Sequence, residues 1–332
     1  LLDPDVLLAI TMGAVVGDAR EVEEGPGLAV FAARLPDARL TPVELRVEET
    51  PDGASVVGWP EVDGAPETLL LLTDPFTFPV DTLLRRLEDD RPDLAVVGGC
   101  ASAATHPGGN RLAIDDRVVA DGAVGVFLEG AGARTVVSQG CRPVGQPLVV
   151  TRSEGRFIQE LAGRPSLDRL RDLAAAAPDE ERELLRRGLH LGVVVDEHRA
   201  DFGRGDFLVR SVIGADRDTG AIAVGDRIAV GQTVQFHVRD ATAADEDLRA
   251  VLAGEDAEGA LLFTCNGRGR GLFGTPDHDA GVVEELLGPL PAAGGFCAGE
   301  IGPVGGRNFL HGFTASVVLF PGGTEARVVG AP

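Results

Sequence analysis

ALLFTCNGRGRGLFGTPDHDAGVVEELLGPLPAAGGFCAGEIGPVGGRNFLHGFTASVVLF, residues 260–320, is the stretch on which the reading of the fold turns. Its opening, Ala260 to Thr264, is a short apolar run of the length of a buried strand. Cys265, Asn266 and a Gly–Arg alternation through Gly271 follow. A helix is expected over Ala280–Leu287, with Asp277 or Asp279 as N-cap and Gly288-Pro289 as its stop. Ala293–Ala298 reads as the next strand and Thr314–Phe320 as the last. Between them Gly299, Glu300, Gly302, Gly305, Gly306, Arg307, Asn308 and His311 read as a second glycine-rich loop. Both loops thus hold polar groups just beyond apolar strands, where a rigid sheet can present them.

Working outward, Thr68–Leu72 reads as a buried strand before a turn at Asp74-Pro75, and Val80–Leu87 has helical spacing. Pro147–Val150 and Phe157–Leu161 flank Ser153-Glu154-Gly155, a hairpin signal. Leu167, Leu170, Leu173, Ala174 and Ala177 mark one face of a helix opened by Pro165-Ser166. The charged run Asp179–Arg187 is a solvated helix or a linker, and the domain boundary is expected there, between residues 1–186 and 187–325. Gly192–Asp196, Phe207–Ile213, Ala221–Val224 and Thr233–Val238 alternate with turns and read as an antiparallel sheet. Val6–Ala33, Leu94–Leu128 and Gly294–Phe320 share one outline: strand, glycine corner, returning strand. The expected class is α/β of the α+β type, two related domains of mixed, largely antiparallel sheets flanked by helices.

The 332 residues suffice for a substantial core. The net charge is −22, from 52 acidic and 30 basic residues, and every basic residue is Arg. Such a field repels phosphate backbones and anionic bilayers, so neither nucleic acid nor membrane is an expected partner. Absence of Lys rules out Schiff-base chemistry on this chain. No apolar run approaches about 18 residues, and no signal-peptide pattern is visible. Cys100, Cys141, Cys265 and Cys297 are widely spaced, which suggests reduced thiols and a cytoplasmic location.

The loops of the opening stretch carry the candidate chemistry. Gly267-Arg268-Gly269-Arg270-Gly271 either cradles an anion or is a tight turn with solvated arginines. It matches neither the phosphate-binding P-loop nor the dinucleotide fingerprint, and no cofactor is expected. Glu300 lies among small and apolar residues, a costly place for an unpaired carboxylate, so Arg268, Arg307 or a ligand amine is its expected partner. A carboxylate and a guanidinium facing one pocket suit a zwitterion; the alternative is an internal ion pair that fixes the loop. Cys265 or Cys297 with His278 or His311 as base is a thiol-hydrolase reading, without a local nucleophile signature. Cys265, His278, Cys297 and His311 lack the close spacing of structural zinc ligands. His106, His190 and His198 belong to no visible constellation.

Cys265-Asn266-Gly267-Arg268-Gly269, Leu272-Phe273-Gly274, Gly299-Glu300-Ile301-Gly302-Pro303 and Asn308-Phe309-Leu310-His311-Gly312-Phe313-Thr314 resemble the C-terminal half of a FIST (F-box and intracellular signal transduction) domain. Asp206–Arg210, Gly225-Asp226 and Val234–Asp240 resemble the opening strands of that half, and Val96–Cys100 with Gly122–Leu128 the N-terminal half. The resemblance covers nearly the whole chain. It implies a FIST N-terminal domain over 1–186, a FIST C-terminal domain over 187–325, and a signal-input role in which a small molecule, with amino acids as the expected class, is bound and a signalling protein responds. The family's N-terminal half opens with a further strand and helix, so a truncated first domain is expected. The expected pocket lies between the two loops, lined by Cys265, Asn266, Arg268, Glu300, Arg307, Asn308 and His311. A protein-interaction scaffold without a small ligand, and a Cys- or metal-dependent hydrolase, are the alternatives.

Overall fold

The computed structural model describes residues 3–322 apart from 52, 63, 200 and 204, together with the backbone of 325–328. Packing divides the chain into two compact units, Leu1–Ser138 with Asp247–Pro332, and Gln139–Glu246. The first unit begins with β1 (Leu8–Ile10), β2 (Val15–Gly17), β3 (Arg20–Val22), β4 (Phe31–Arg34), β5 (Arg39–Thr50), β6 (Gly53–Val57) and β7 (Thr68–Thr73). Then come α1 (Val80–Asp90), β8 (Ala95–Cys100), β9 (Leu112–Ile114), β10 (Arg117–Val119), β11 (Ala123–Glu129) and β12 (Arg134–Gln139). The second unit holds β13 (Cys141–Glu154), β14 (Phe157–Leu161), β15 (Arg164–Pro165), α2 (Ser166–Ala176), α3 (Asp179–Arg187), β16 (Leu189–Val194), β17 (Phe207–Ala215), β18 (Ile222–Val224) and β19 (Thr233–Arg239). The chain returns through α4 (Ala241–Leu252) to β20 (Gly259–Cys265), α5 (Arg270–Phe273), α6 (His278–Leu287) and β21 (Ala292–Cys297). It closes with β22 (Glu300–Val304), β23 (Arg307–His311), β24 (Thr314–Phe320) and β25 (Glu325–Val328). The fold is mixed α/β with mostly antiparallel sheets.

Two sheets of the first unit follow one plan. One has the order β23-β22-β8-β7-β11-β5-β6; the other, read from its far edge, is β3-β2-β21-β20-β24-β12. At the centre of each stands a parallel pair joined through a helix, β7–α1–β8 and β20–α6–β21. An antiparallel strand flanks the first member, β11 or β24, and a hairpin flanks the second. The hairpins are exchanged along the chain: β22–β23 closes on β8, and β2–β3 closes on β21.

Layering explains the sequence pattern. A central parallel strand is covered on both faces, so Thr68–Thr73 reads TLLLLT without alternation. Leu69 and Leu71 pack with Leu83, Leu84 and Leu87 of α1. Leu72, Val97, Val124 and Leu128 face the other way and meet Phe263, Val318 and Phe320 of the second sheet. Leu262, Val317 and Leu319 pack with Leu248 and Leu252 of α4 and Val282 and Val283 of α6. The order is helix, sheet, sheet, helix. Both sheets pinch at one glycine, Gly98 (φ 145°) and Gly294 (φ 155°), where a Cβ would strike the carbonyl oxygen of Leu71 or Leu262.

In the second unit β13, β19, β16, β17, β18 and β14 pair antiparallel in turn, and β14 pairs back onto β13, so six strands close into a ring. Val144, Val150, Ile158, Leu191, Ile222, Val234 and Phe236 belong to its core. Closure removes the exposed edges that an open sheet would leave.

The expected strands at 260–264, 293–298 and 314–320 form nearly as read, as does the helix before Gly288. Asp179–Arg187 is a helix with no buried residue. The glycine-rich loop of Glu300–His311 is instead a hairpin turning at Gly305-Gly306, both at positive φ (60° and 79°). Its strand conformation is set by pairing with distant β8, against the local weakness of Gly302 and Pro303. Of the three segments sharing an outline, the second and third are equivalent in the two sheets. The first is not, because its strands β1 and β4 lie in separate small sheets with β9 and β25.

Candidate functional site

The site is built where the first unit's parallel strands end. In open α/β sheets that end, beyond the carboxyl termini of the strands, is where ligands settle. Cys265 closes β20 opposite Cys297 of β21. Two backbone bonds, Cys100 N–H to Gly299 O (2.9 Å) and Ala298 N–H to Cys100 O (3.1 Å), join this corner to the end of β8. Ser102 Oγ donates to Phe296 O and accepts the Gly13 N–H, tying in the segment before β2.

Arg268 turns inward from the loop after β20. Its Nε and Nη2 donate to Asp279 Oδ2 and Oδ1 at 2.6 and 2.8 Å, and both side chains are 0% exposed. Thr264 Oγ1 (2.6 Å) and the His278 ring (3.0 Å) complete the carboxylate's shell. Burial alone would raise the Asp279 carboxyl, but the guanidinium and these two bonds overturn that and hold it well below the ordinary carboxylate range. The Phe273 ring stacks on His278 and lies under the guanidinium, 5.2 Å from its carbon to the ring centre. Arg268 Nη1 is buried and has no hydrogen-bond partner among the described residues.

The N-terminus of α6 is capped from far away. Glu21 Oε1 of β3 accepts the Asp279 and Ala280 N–H groups (2.8 and 3.1 Å), while the Glu21 N–H donates to Asp277 Oδ1 (2.7 Å). Asp277 sits at the N-cap position without capping through its own side chain. Burial, and then the nearby Asp279 charge, push the Glu21 carboxyl up to about 7. Glu21→Ala should cost about 1–2 kcal/mol, in the range of a lost cap, as read from urea unfolding at pH 7.

Glu300, fully buried at the start of β22, has no cationic hydrogen-bond partner. Its Oε2 accepts both the Thr314 N–H (3.2 Å) and the Thr314 hydroxyl (2.9 Å), and Oε1 has no hydrogen-bond partner among the described residues. The Cys265 thiol of β20 interacts with the Glu300 carboxyl as well. Burial drives the carboxyl up to about 8 against the Thr314 bonds, so it is mostly protonated at neutral pH. A proton held more tightly in the folded state stabilises fully below about 4.5, and that contribution is lost as pH rises through about 8. Glu300→Gln, which cannot ionise, should match the wild-type midpoint near pH 5 and exceed it near pH 9 in thermal melts.

The sequence candidates separate into two groups. Cys265, Asn266, Arg268 and Glu300 gather at the strand ends, with Asn266 exposed and its N–H on Cys297 O. Arg307, Asn308 and His311 brace the hairpin. Arg307 pairs with Glu88 of α1 (2.6 Å), and Asn308 bridges Val96 N–H and Leu94 O (2.8 and 2.7 Å). His311, opposite Glu300, donates from Nε2 to Gly302 O (2.9 Å). Glu300 thus meets neither Arg268 nor Arg307 in an ion pair, because Asp279 and Glu88 hold those guanidinium groups. Sequence reasoning does not reach Glu21, Thr264 or Thr314, and reads Asp279 only as one of two candidate N-caps beside Asp277.

Burial, then the Glu300 carboxyl, push the Cys265 thiol up to about 12; burial foremost lifts Cys100 to about 12 and Cys297 well above the ordinary thiol value. Protonated thiols are poor nucleophiles. Among the described residues, no group of three or more His, Cys, Asp or Glu side chains is arranged to hold a metal ion.

The related halves provide an internal comparison. Three residues beyond the pinched pairs Leu71–Gly98 and Leu262–Gly294 stand Asp74 and Cys265. Asp74 is fully buried and satisfied: Oδ1 accepts Asn110 Nδ2 (2.9 Å), and Oδ2 accepts Thr77 Oγ1 (2.8 Å) and Phe76 N–H (3.2 Å). The N-terminal corner is closed by its own residues. At the C-terminal corner Arg268 Nη1, Glu300 Oε1 and Glu21 Oε2 are buried without a hydrogen-bond partner among the described residues.

Fold and corner together define an α/β protein with a buried polar cluster at the strand ends. A FIST N domain family model matches residues 2–164 and a FIST C domain model residues 166–303, so the chain belongs to the FIST family. FIST domains are associated with sensing in signal transduction, a sensory rather than a catalytic family. The uncharacterized protein Rv0628c of Mycobacterium tuberculosis (strain ATCC 25618 / H37Rv) is 48% identical over 325 residues, 96% of this chain and 84% of that protein. The uncharacterized protein Mb0898c of Mycobacterium bovis is 47% identical over 327 residues, with the same shares covered. Among the described residues, no helix is long and apolar enough to cross a membrane.

Proposed function

We propose that this chain is a cytoplasmic sensory module that binds a small polar ligand at the C-terminal corner of its first unit, with amino acids as the first class to test. The observation that carries this is the pair of open atoms, Arg268 Nη1 and Glu300 Oε1. Native proteins rarely leave buried polar atoms unsatisfied, and a bound molecule is one way to satisfy them. The closed Asp74–Asn110–Thr77 corner in the related half argues against a requirement of the fold. Cys265 and Asn266 complete the contact set, while Arg307, Asn308 and His311 hold the hairpin that presents Glu300. The strongly negative surface makes a protein the natural downstream partner, with no role for nucleic acid.

A thermal-shift screen of amino acids and other small metabolites tests the reading. A ligand at 100 times its dissociation constant adds about 2.7 kcal/mol when it binds only the folded state. The expected result is a selective rise in the midpoint of a few degrees, lost in Glu300→Ala. No shift from any compound would move the weight to an interaction scaffold.

A further inference from the structure

We propose that the ligand is held by a carboxylate group, received by two donors, Arg268 Nη1–H and the protonated Oε1–H of Glu300. This rests on reading the corner as a ligand site, and it names what the site recognises.

Hydrogen-bond capacity decides what the two open atoms can receive. Oε2 of Glu300 accepts two bonds from Thr314, and no basic side chain lies within ion-pair distance of the carboxyl among the described residues. A carboxyl enclosed in this way is neutral, because an unpaired buried charge is far costlier than a bound proton. Oε2 is taken by donors, so the proton resides on Oε1, which then offers a bond outward. On the Arg268 side, Nε and one N–H of Nη2 bond Asp279, and Nη1, with two N–H groups, has no partner among the described residues. Both open groups are therefore donors. An ammonium brings only further donors and cannot satisfy either; a carboxylate satisfies both. The arginine keeps its charge for the incoming anion, since the rigid fork on Asp279 uses only one side of the guanidinium.

Burial holds Glu300 in this state against the groups that face it, since the Thr314 bonds, the Cys265 thiol and the Arg268 charge all favour ionisation. Cys265, Cys100 and Cys297, from three strands, bear thiols that stay protonated. Thr314 faces it from β24 and His311 from across the hairpin, its ring bonded to Gly302 O. The same arrangement fixes a direction with pH. Raising pH through the Glu300 titration replaces the second donor by an anion, so carboxylate binding weakens there.

Isothermal titration with matched compounds decides the matter, using three parent side chains: those of alanine, leucine and phenylalanine. Each is tested as the amino acid, the carboxylic acid without its amine, the amide and the decarboxylated amine. The amino acid and simple acid of at least one parent are expected to bind within about tenfold of each other. The corresponding amide and amine should lose roughly 10–100-fold, the worth of a charge-assisted bond. Glu300→Gln keeps a donor and should bind with its weakening above about pH 8 abolished. Arg268→Lys, which keeps a cation for Asp279 but removes Nη1, should lose at least tenfold while circular dichroism confirms folding. Binding by amines or amides in preference to acids overturns the inference and leaves the sensor reading standing. Silence from every compound, with no hit in the wider metabolite screen, overturns both.

Discussion

Replacing Asp279 with Ala should lower stability by about 3–5 kcal/mol, the range for breaking a buried ion pair by removing one member. Arg268 would then keep its charge in a place without water, and its Nε and Nη2 would join Nη1 as unsatisfied donors. Thr264 and His278 lose their acceptor in the same step. For a chain of this size the loss corresponds to a drop in the melting midpoint on the order of 10 °C. The double change Arg268→Met with Asp279→Leu removes both charges and should recover much of the loss, as isosteric apolar replacements of buried pairs often do. A single Asp279→Ala that melts within a degree of wild type would mean that Arg268 reaches water, and the enclosed corner described here would be wrong.

Acid should unfold the second unit early. His190 and His237 face each other across β16 and β19, and both are buried. Burial first, then Arg239 and His237, lower His190 to about 4; burial lowers His237 to about 4, against its Nδ1–H bond to Gln235 O. An unfolded imidazole titrates near 6.5, so between 6.5 and 4 the unfolded chain binds more protons than the folded one. Stability is then complete above about 6.5 and falls as pH drops, by roughly 3 kcal/mol per histidine at pH 4. The His190→Gln/His237→Gln double variant should hold its fold to lower pH, read by near-ultraviolet circular dichroism. An unchanged acid midpoint would place the acid-sensitive groups elsewhere. Glu21 and Glu300 act in the opposite direction, losing their contribution as pH rises through about 7 and about 8. Between about 4.5 and 6.5 the two histidines and the two carboxyls oppose each other, so stability there should vary less with pH than either pair alone would give.

Legibility in the sequence followed the range of the cause. Ala260–Thr264 and Thr314–Phe320 declared themselves through local apolar runs, and Gly288-Pro289 through local stop chemistry. Glu300–Val304 did not, because its strand exists through pairing with Gly98 and Gly99, some 200 residues away. Arg268 was found as a candidate because glycines expose it to notice. Its partner was hidden, since Asp279 at a helix start has a sufficient local explanation as a cap. Glu21 carries no signal at all: it reaches Asp279 across 258 positions, through a hairpin exchanged between two sheets. Glu300 was rightly read as a costly place for a charge. The resolution, a retained proton instead of a cation, depends on Thr314 filling one oxygen, which spacing alone does not reveal. The ring of the second unit was legible as antiparallel strands, but its closure by β14 on β13 is a three-dimensional outcome.

The central claim is that one of two related corners satisfies its own polar groups and the other keeps two donors for a ligand. A crystal structure of the protein with the tightest-binding carboxylate from the titration panel tests it most directly. The account predicts density for the compound at the end of β20, with its carboxylate within hydrogen-bond distance of both Arg268 Nη1 and Glu300 Oε1. Ordered water alone bridging those atoms, or the compound bound elsewhere with Glu300 turned onto Arg268, would contradict it.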